Sequence, residues 1–195
     1  MKKSHSGLLF SVIFILILTS CSTLRDRENA IDVNGMVYDF TNRPIPHSEI
    51  LLGEEIQSIT DINGRFTLQR VQPGLHTIII RKSGFETYAE EIYIRDRAQI
   101  IYIRMPSQSQ LLELVDDAIA RHDFIMASAL VERAYNIDPN NIVMLFYYAT
   151  VAFRLQDYAS AIMYLETAQQ LGSRDLYISR FLAILRELQS DNQEE

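Results

Sequence analysis

With 195 residues, 48% of them apolar and 22% charged, the chain has enough hydrophobic content for one domain or two small ones, so disorder is not its default state. Its formal charge of −7 has the wrong sign for a surface that binds phosphates, and nucleic acid is not an expected partner. A single cysteine, Cys21, excludes an internal disulfide and leaves any extracytoplasmic domain to rely on its apolar core.

The N-terminus places Lys2 and Lys3 before an apolar run from Leu8 to Leu18 in which only Ser11 is polar. Such a run is shorter than the roughly 20 apolar residues that span a bilayer, but it suits the h-region of a secretory signal. Leu18-Thr19-Ser20-Cys21 follows, an aliphatic residue and two small ones before a cysteine, and this tetrad resembles the bacterial lipobox. The resemblance implies that residues 1–20 are a lipoprotein signal peptide cleaved before Cys21. It also implies that Cys21 carries a covalent diacylglycerol on its thiol and an N-acyl lipid on its new amino group. One acyl chain anchors only marginally and two or three anchor stably. The expected partner is therefore a membrane, with the mature chain lipid-anchored. In lipoproteins of this kind an aspartate after the cysteine favours the inner membrane, so with Ser22 in that place the resemblance implies the outer membrane of a diderm bacterium, the chain facing the periplasm or the surface. Residues 21–30 read as the lipidated cysteine and a polar tether.

From residue 31 to 105 the chain alternates in short runs rich in Ile, Val, Tyr and Thr, punctuated by Asn-Gly, Pro-Gly and Ser-Gly about every ten residues, the pattern of a β-sandwich or barrel. Strands are predicted at Ile31–Tyr38, Glu49–Leu52, Gln57–Thr60, Arg65–Leu68, Gly74–Lys82, Glu86–Tyr93 and Gln99–Arg104. In "SITDINGRFTL", Asp61 and Asn63-Gly64 form a hairpin turn in which Gly64 supplies positive φ. A calcium loop would need a glutamate at the twelfth position from Asp61, where Gln72 stands, so Asp61 is assigned to the turn. The segments "NGMVYD", "RPIPHSEI", "TDINGRFTL", "VQPGLHTI" and "KSGFE" resemble, in order, the carboxypeptidase regulatory-like domain, a transthyretin-like sandwich of seven strands. His47 and Ser48 depart from it, since a glycine and an alanine are usual there. The resemblance implies a spacer, folding aid or binding module without peptidase machinery.

Residues 106–110 read as a polar linker, after which the period becomes helical over 111–190, with an acidic tail at 191–195. Helices are predicted near 110–121, 125–137, 141–154, 158–170 and 174–189. At a shift of 34, Leu111 meets Leu145, Ala118 meets Ala152, Asp123 meets Asp157, Ala127 meets Ala161, Val131 meets Leu165 and Ala134 meets Ala168. That period, with two helices in each repeat, resembles the tetratricopeptide repeat. Val115, alanine at the tyrosine position and Ser173 in place of a closing proline depart from its pattern. The fold class expected is thus all-β plus all-α: a β-sandwich followed by two repeats and a terminal helix with its apolar stripe at Ile178, Phe181, Leu182 and Leu185. Two repeats and a cap fall short of the three usually needed for independent stability, so the helices should lean on the sandwich, a second copy or a partner.

In this repeat family the first helix of each pair lines a groove for peptides or helices of other proteins. Carried onto this chain, the groove positions are Leu112, Asp116, Phe146, Thr150, Phe153 and Arg154, where aromatics beside an arginine suit an interface hot spot. Phe146 and Phe153 can equally serve as core between repeats. No candidate for catalysis is found: His47, His76 and His122 have no metal-ligand spacing, Cys21 is consumed by lipid, and adjacent Asp116 and Asp117 point about 100° apart on a helix. No cofactor and no metal is expected. The reading is a non-catalytic envelope lipoprotein that engages an unidentified envelope protein or peptide through its repeats, with a homo-oligomer kept open. A different class, a carbohydrate- or peptidoglycan-binding sandwich, is disfavoured by few aromatics on the β segment and no tryptophan.

Overall fold

The computed structural model describes residues 29–191 with the exception of residue 54. The signal segment, Cys21 and the end of the acidic tail lie outside the described residues. Among the described residues, seven strands come first: β1 (Ile31–Tyr38), β2 (Glu49–Leu52), β3 (Glu55–Ile59), β4 (Arg65–Val71), β5 (Gly74–Arg81), β6 (Tyr88–Ile94) and β7 (Ile100–Arg104). Five helices follow: α1 (Gln108–Ala120), α2 (Phe124–Ile137), α3 (Ile142–Arg154), α4 (Tyr158–Gln170) and α5 (Leu176–Asp191). The chain divides into two compact units, one running up to Val37 and including Pro44–Ile80 and Ala89–Ile103, the other comprising Tyr38–Arg43, Arg81–Tyr88 and Arg104 onward.

In the first unit the strands form a three-stranded sheet in the order β4-β1-β7 and a four-stranded sheet in the order β3-β2-β5-β6. Alternation decides which side chains are buried: Val33 and Val37 of β1, Phe66 and Leu68 of β4, and Ile101 and Ile103 of β7 all point inward. Gly35 is required in β1 because a Cβ there would lie 2.2 Å from the Phe66 ring. The turn before β4 forms as its sequence demands. Asp61 Oδ1 accepts the backbone N–H groups of Asn63 and Arg65, each at 2.8 Å, while Gly64 takes φ +72°.

Strand β4 runs to Val71, three residues past the expected end, because a bulge lets the ladder with β1 resume. Val33 pairs with Leu68 and Ile31 with Val71, and between them Arg70 takes φ 55° with its N–H on Asp32 Oδ1 at 2.9 Å. His47 takes φ 56°, which explains why glycine suits this position, and the buried Ser48 hydroxyl is satisfied by donating to Ile45 O at 3.3 Å. Strand β6 begins at Tyr88, two residues later than expected, since Glu86 is engaged elsewhere.

In the second unit, each of the first four helices begins at a side-chain cap. Ser107 and Gln110 form a capping box, so α1 starts at Gln108 and absorbs most of the linker expected at 106–110. Asp123, Asn141 and Asp157 cap α2, α3 and α4 by accepting N–H groups two or three residues on. The joints within the two helix pairs are copies of each other at a shift of 34. His122 and Gln156 take φ 60° and 63°, and the next residues, Asp123 and Asp157, donate N–H to Ala118 O and Ala152 O, both at 2.9 Å. Pair ends differ: α2 closes on Asp138-Pro139, whereas α4 closes through Gly172 at φ 93°, which supplies the stop that the missing proline would have given.

Two apolar clusters fill the helical layer. Leu111, Val115, Ala118, Ala127, Val131 and Ala134 of α1 and α2 meet Met144 and Val151 of α3. Leu145, Ala149, Ala161, Leu165 and Ala168 of α3 and α4 meet Ile178, Leu182 and Leu185 of α5. Small residues at the crossing positions let the helix pairs approach closely, and larger ones fill the seam. No helix among the described residues is long and apolar enough to cross a membrane.

Candidate functional site

The expected groove residues sort into three local environments. Asp116 is exposed on α1, and its Oδ2 accepts the hydroxyl of Tyr147 from α3 at 3.0 Å. Burial first, and this carboxylate second, push the Tyr147 phenol above its ordinary value. Leu112, half-buried on the same helix, packs against the first apolar cluster.

Phe146 and Phe153 converge on a single ring of α5. Phe181 lies 6.2 Å from Phe146 and 5.5 Å from Phe153, both in edge-on geometry. These two phenylalanines therefore serve largely as packing between helices, the second of the roles open to them from the sequence. Thr150 spends its hydroxyl on Phe146 O at 2.9 Å, within its own helix. Arg154 is exposed at the end of α3, with its guanidinium carbon 5.8 Å from the Phe124 ring centre. Asp116 and Arg154 are left as the exposed polar members, with Thr150 part-buried between them and the packed rings.

Tyr147 was not among the expected residues, although a signal for it exists. Asp116 and Tyr147 stand 31 residues apart, one helical turn short of the 34-residue shift that relates α1 to α3 in the sequence. Three further tyrosines, Tyr135, Tyr148 and Tyr164, gather from α2, α3 and α4, with Tyr148 and Tyr164 stacked at 4.3 Å. Burial, then the neighbouring Tyr164 and Glu132, raise the Tyr148 phenol far above its ordinary range, so it is a neutral, packed group at physiological pH.

A second polar cluster within the helical unit surrounds the start of α1. Glu86 holds Arg133 of α2 through two bonds of 2.8 and 2.7 Å, Glu86 N–H donates to Pro106 O at 3.0 Å, and Gln108 N–H donates to Gly84 O at 3.0 Å. Gln108 also donates its side-chain amide to Ala134 O at 3.0 Å and accepts from Asn141. Asp39 lies in the same unit. Its burial raises the carboxyl, but hydrogen bonds from Arg43, Thr41 and Gln110 outweigh that and hold it below the usual carboxylate value.

On the first unit, an open groove of about 670 Å³ runs along β1 and β4, lined by Asn34, Met36, Ile59, Arg65, Thr67 and Ile100. Thr67 donates to Asn34 Oδ1 at 2.8 Å on this face. Tyr93 and Tyr102 are 58% and 66% exposed, so the β segment offers more accessible aromatic surface than its sequence suggested. No group of three or more His, Cys, Asp and Glu residues that could hold a metal ion occurs among the described residues.

Residues 33–115 match the family model described as a CarboxypepD_reg-like domain, which supports the domain expected for the β-rich segment and extends it into α1. Comparison with curated proteins finds no match. Among solved structures, a C-terminal interface mutant of a type II cohesin–X-dockerin complex from Acetivibrio cellulolyticus is 21% identical with a TM-score of 0.32, over 42% of this chain and 60% of that one. An N-terminal interface mutant of the complex from the same organism is 20% identical with a TM-score of 0.31, over 45% of this chain and 73% of that one. Both likenesses are too slight to bear on function.

Proposed function

We propose that this protein is a non-catalytic lipoprotein of the bacterial envelope, anchored through lipid on Cys21, whose helices dock a partner protein. In this reading the transthyretin-like β unit is the spacer. The five helices are two tetratricopeptide repeats with a terminal helix, and α1 and α3 present the docking face. The observation that carries the reading is the recurrence of one joint, left-handed residue and aspartate cap together, 34 residues apart. Asp116, Tyr147, Thr150 and Arg154 are the residues that would meet the partner. Phe146 and Phe153 would act indirectly, by fixing α3 against α5.

Two measurements test the reading. Cells fed labelled palmitate should label the wild type and leave a Cys21→Ala variant unlabelled; label on the variant would remove the anchor from the account. Detergent-solubilised envelopes should yield a protein that co-purifies with wild type and with a Met163→Lys control on α4, and is lost with Asp116→Lys or Arg154→Glu. Equal recovery by all four would remove the docking face. Phe146→Ala/Phe153→Ala is a poor probe, since both rings pack on Phe181.

The groove on β1 and β4, with exposed Tyr102 on β7 of the same sheet, favours one further reading, a β unit that binds glycan. Under it, insoluble peptidoglycan should retain wild type and release Tyr102→Ala; equal retention of the two would dismiss it.

A further inference from the structure

A helical stack needs a polar outer face on its last helix, because nothing further covers it. Helix α5 meets that condition only in part. Its inward face, Ile178, Leu182 and Leu185, is buried, and Arg186 anchors one flank to Glu166 at 2.7 Å. The opposite face exposes Leu176, Tyr177 and Ile184, by 59%, 75% and 52% respectively. The exposed positions Tyr177, Arg180, Ile184, Glu187 and Asp191 recur in steps of three and four, flanked by Leu176, Ala183 and Ser190, so this face mixes exposed apolar side chains with charged ones.

We propose that this face is the interface between two copies of the chain, α5 packing antiparallel on α5 about a two-fold axis at Ala183 and Ile184. Charge complementarity favours a second copy of the chain as the occupant. In an antiparallel pair centred there, Arg180 of each copy faces Glu187 of the other, giving two reciprocal ion pairs around an apolar centre. Among the described residues neither Arg180 nor Glu187 has an ion pair, and seven positions apart on one helix they lie about 10 Å from each other, too far to pair within a chain. Ala183, small and exposed at the axis, lets the backbones approach while Ile184 of the partner copy fills the space beside it. Tyr177 covers the ends of this face. A single helix pair is a small interface, so the dimer dissociates on dilution. The inference goes beyond the docking face on α1 and α3, and shares no residue with it.

Sedimentation equilibrium of the full-length chain in density-matched detergent tests the pairing. Wild type should be a dimer that dissociates on dilution. Arg180→Glu and Glu187→Arg should each weaken it about tenfold or more, and the double variant Arg180→Glu/Glu187→Arg should regain most of the loss. Ile184→Glu should give a monomer. Far-ultraviolet circular dichroism and melting curves that match wild type show that each variant is folded. A chain that is monomeric at every concentration overturns the proposal, as does association indifferent to the single reversals, or a double variant no stronger than either single one. Loss of partner capture by Asp116→Lys with dimerisation intact would separate this interface from the docking face.

Discussion

The two helix pairs, α1 with α2 and α3 with α4, share a joint and differ in their surroundings. Both turn through a left-handed residue, both cap the second helix with aspartate, and both place alanine where the helices cross. Around these fixed points the first pair uses aliphatic side chains and ties itself to Glu86 and Gly84, whereas the second is rich in aromatics and closes on α5. The lesson is that repetition preserves what holds a pair together and leaves free what each pair meets.

The sharpest test of that equivalence lies in the core. Leu111 and Leu145 are repeat mates with no exposed surface, so truncating either to alanine should cost about 2–5 kcal/mol in urea unfolding. A large cost at one and a small cost at the other would break the comparison. The caps come next. Asp123→Ala and Asp157→Ala should each cost about 1 kcal/mol. The Asp157 carboxyl is held below its usual value by the Ser160 side chain and backbone. Its contribution to stability is therefore present above the unfolded-state value and is lost as pH falls through the folded one, so Asp157→Asn should flatten the acid-side decline in melting temperature.

A difference between the pairs should show in Glu86→Gln. The Glu86–Arg133 side chains are 29% and 42% exposed, so breaking the pair should cost about 1 kcal/mol or less, with a larger effect at low salt; no salt dependence would mean that the contact is packing alone. The smallest effect is expected at the joints, where His122→Gly and Gln156→Gly relieve a left-handed side chain and should each stabilise by about 0.5 kcal/mol in the same unfolding assay. Destabilisation would show that those side chains hold the turn by contacts that outweigh its strain.

Most of the fold was legible because its signals are local. Alternation marked the strands, Asn63-Gly64 marked a hairpin, and the recurrence of Leu, Ala and Asp at 34 marked the joints. The errors came from contacts that sequence spacing does not carry. The bulge at Arg70 depends on Asp32, far back in the chain, and the late start of β6 reflects Glu86 reaching Arg133. At the candidate site, the tetratricopeptide resemblance suggested α1 and α3 residues but could not tell exposed from packed ones. The positions of Phe181 and of the second apolar cluster decide that Phe146 and Phe153 are packed.

The docking face itself is tested most directly by photo-crosslinking in intact cells, with benzoylphenylalanine in place of Tyr147 on α3 or of Met163, 51% exposed on α4. The account predicts a discrete adduct to another envelope protein from position 147 and none from position 163. Adducts of equal strength from both positions, or none from position 147, would contradict it.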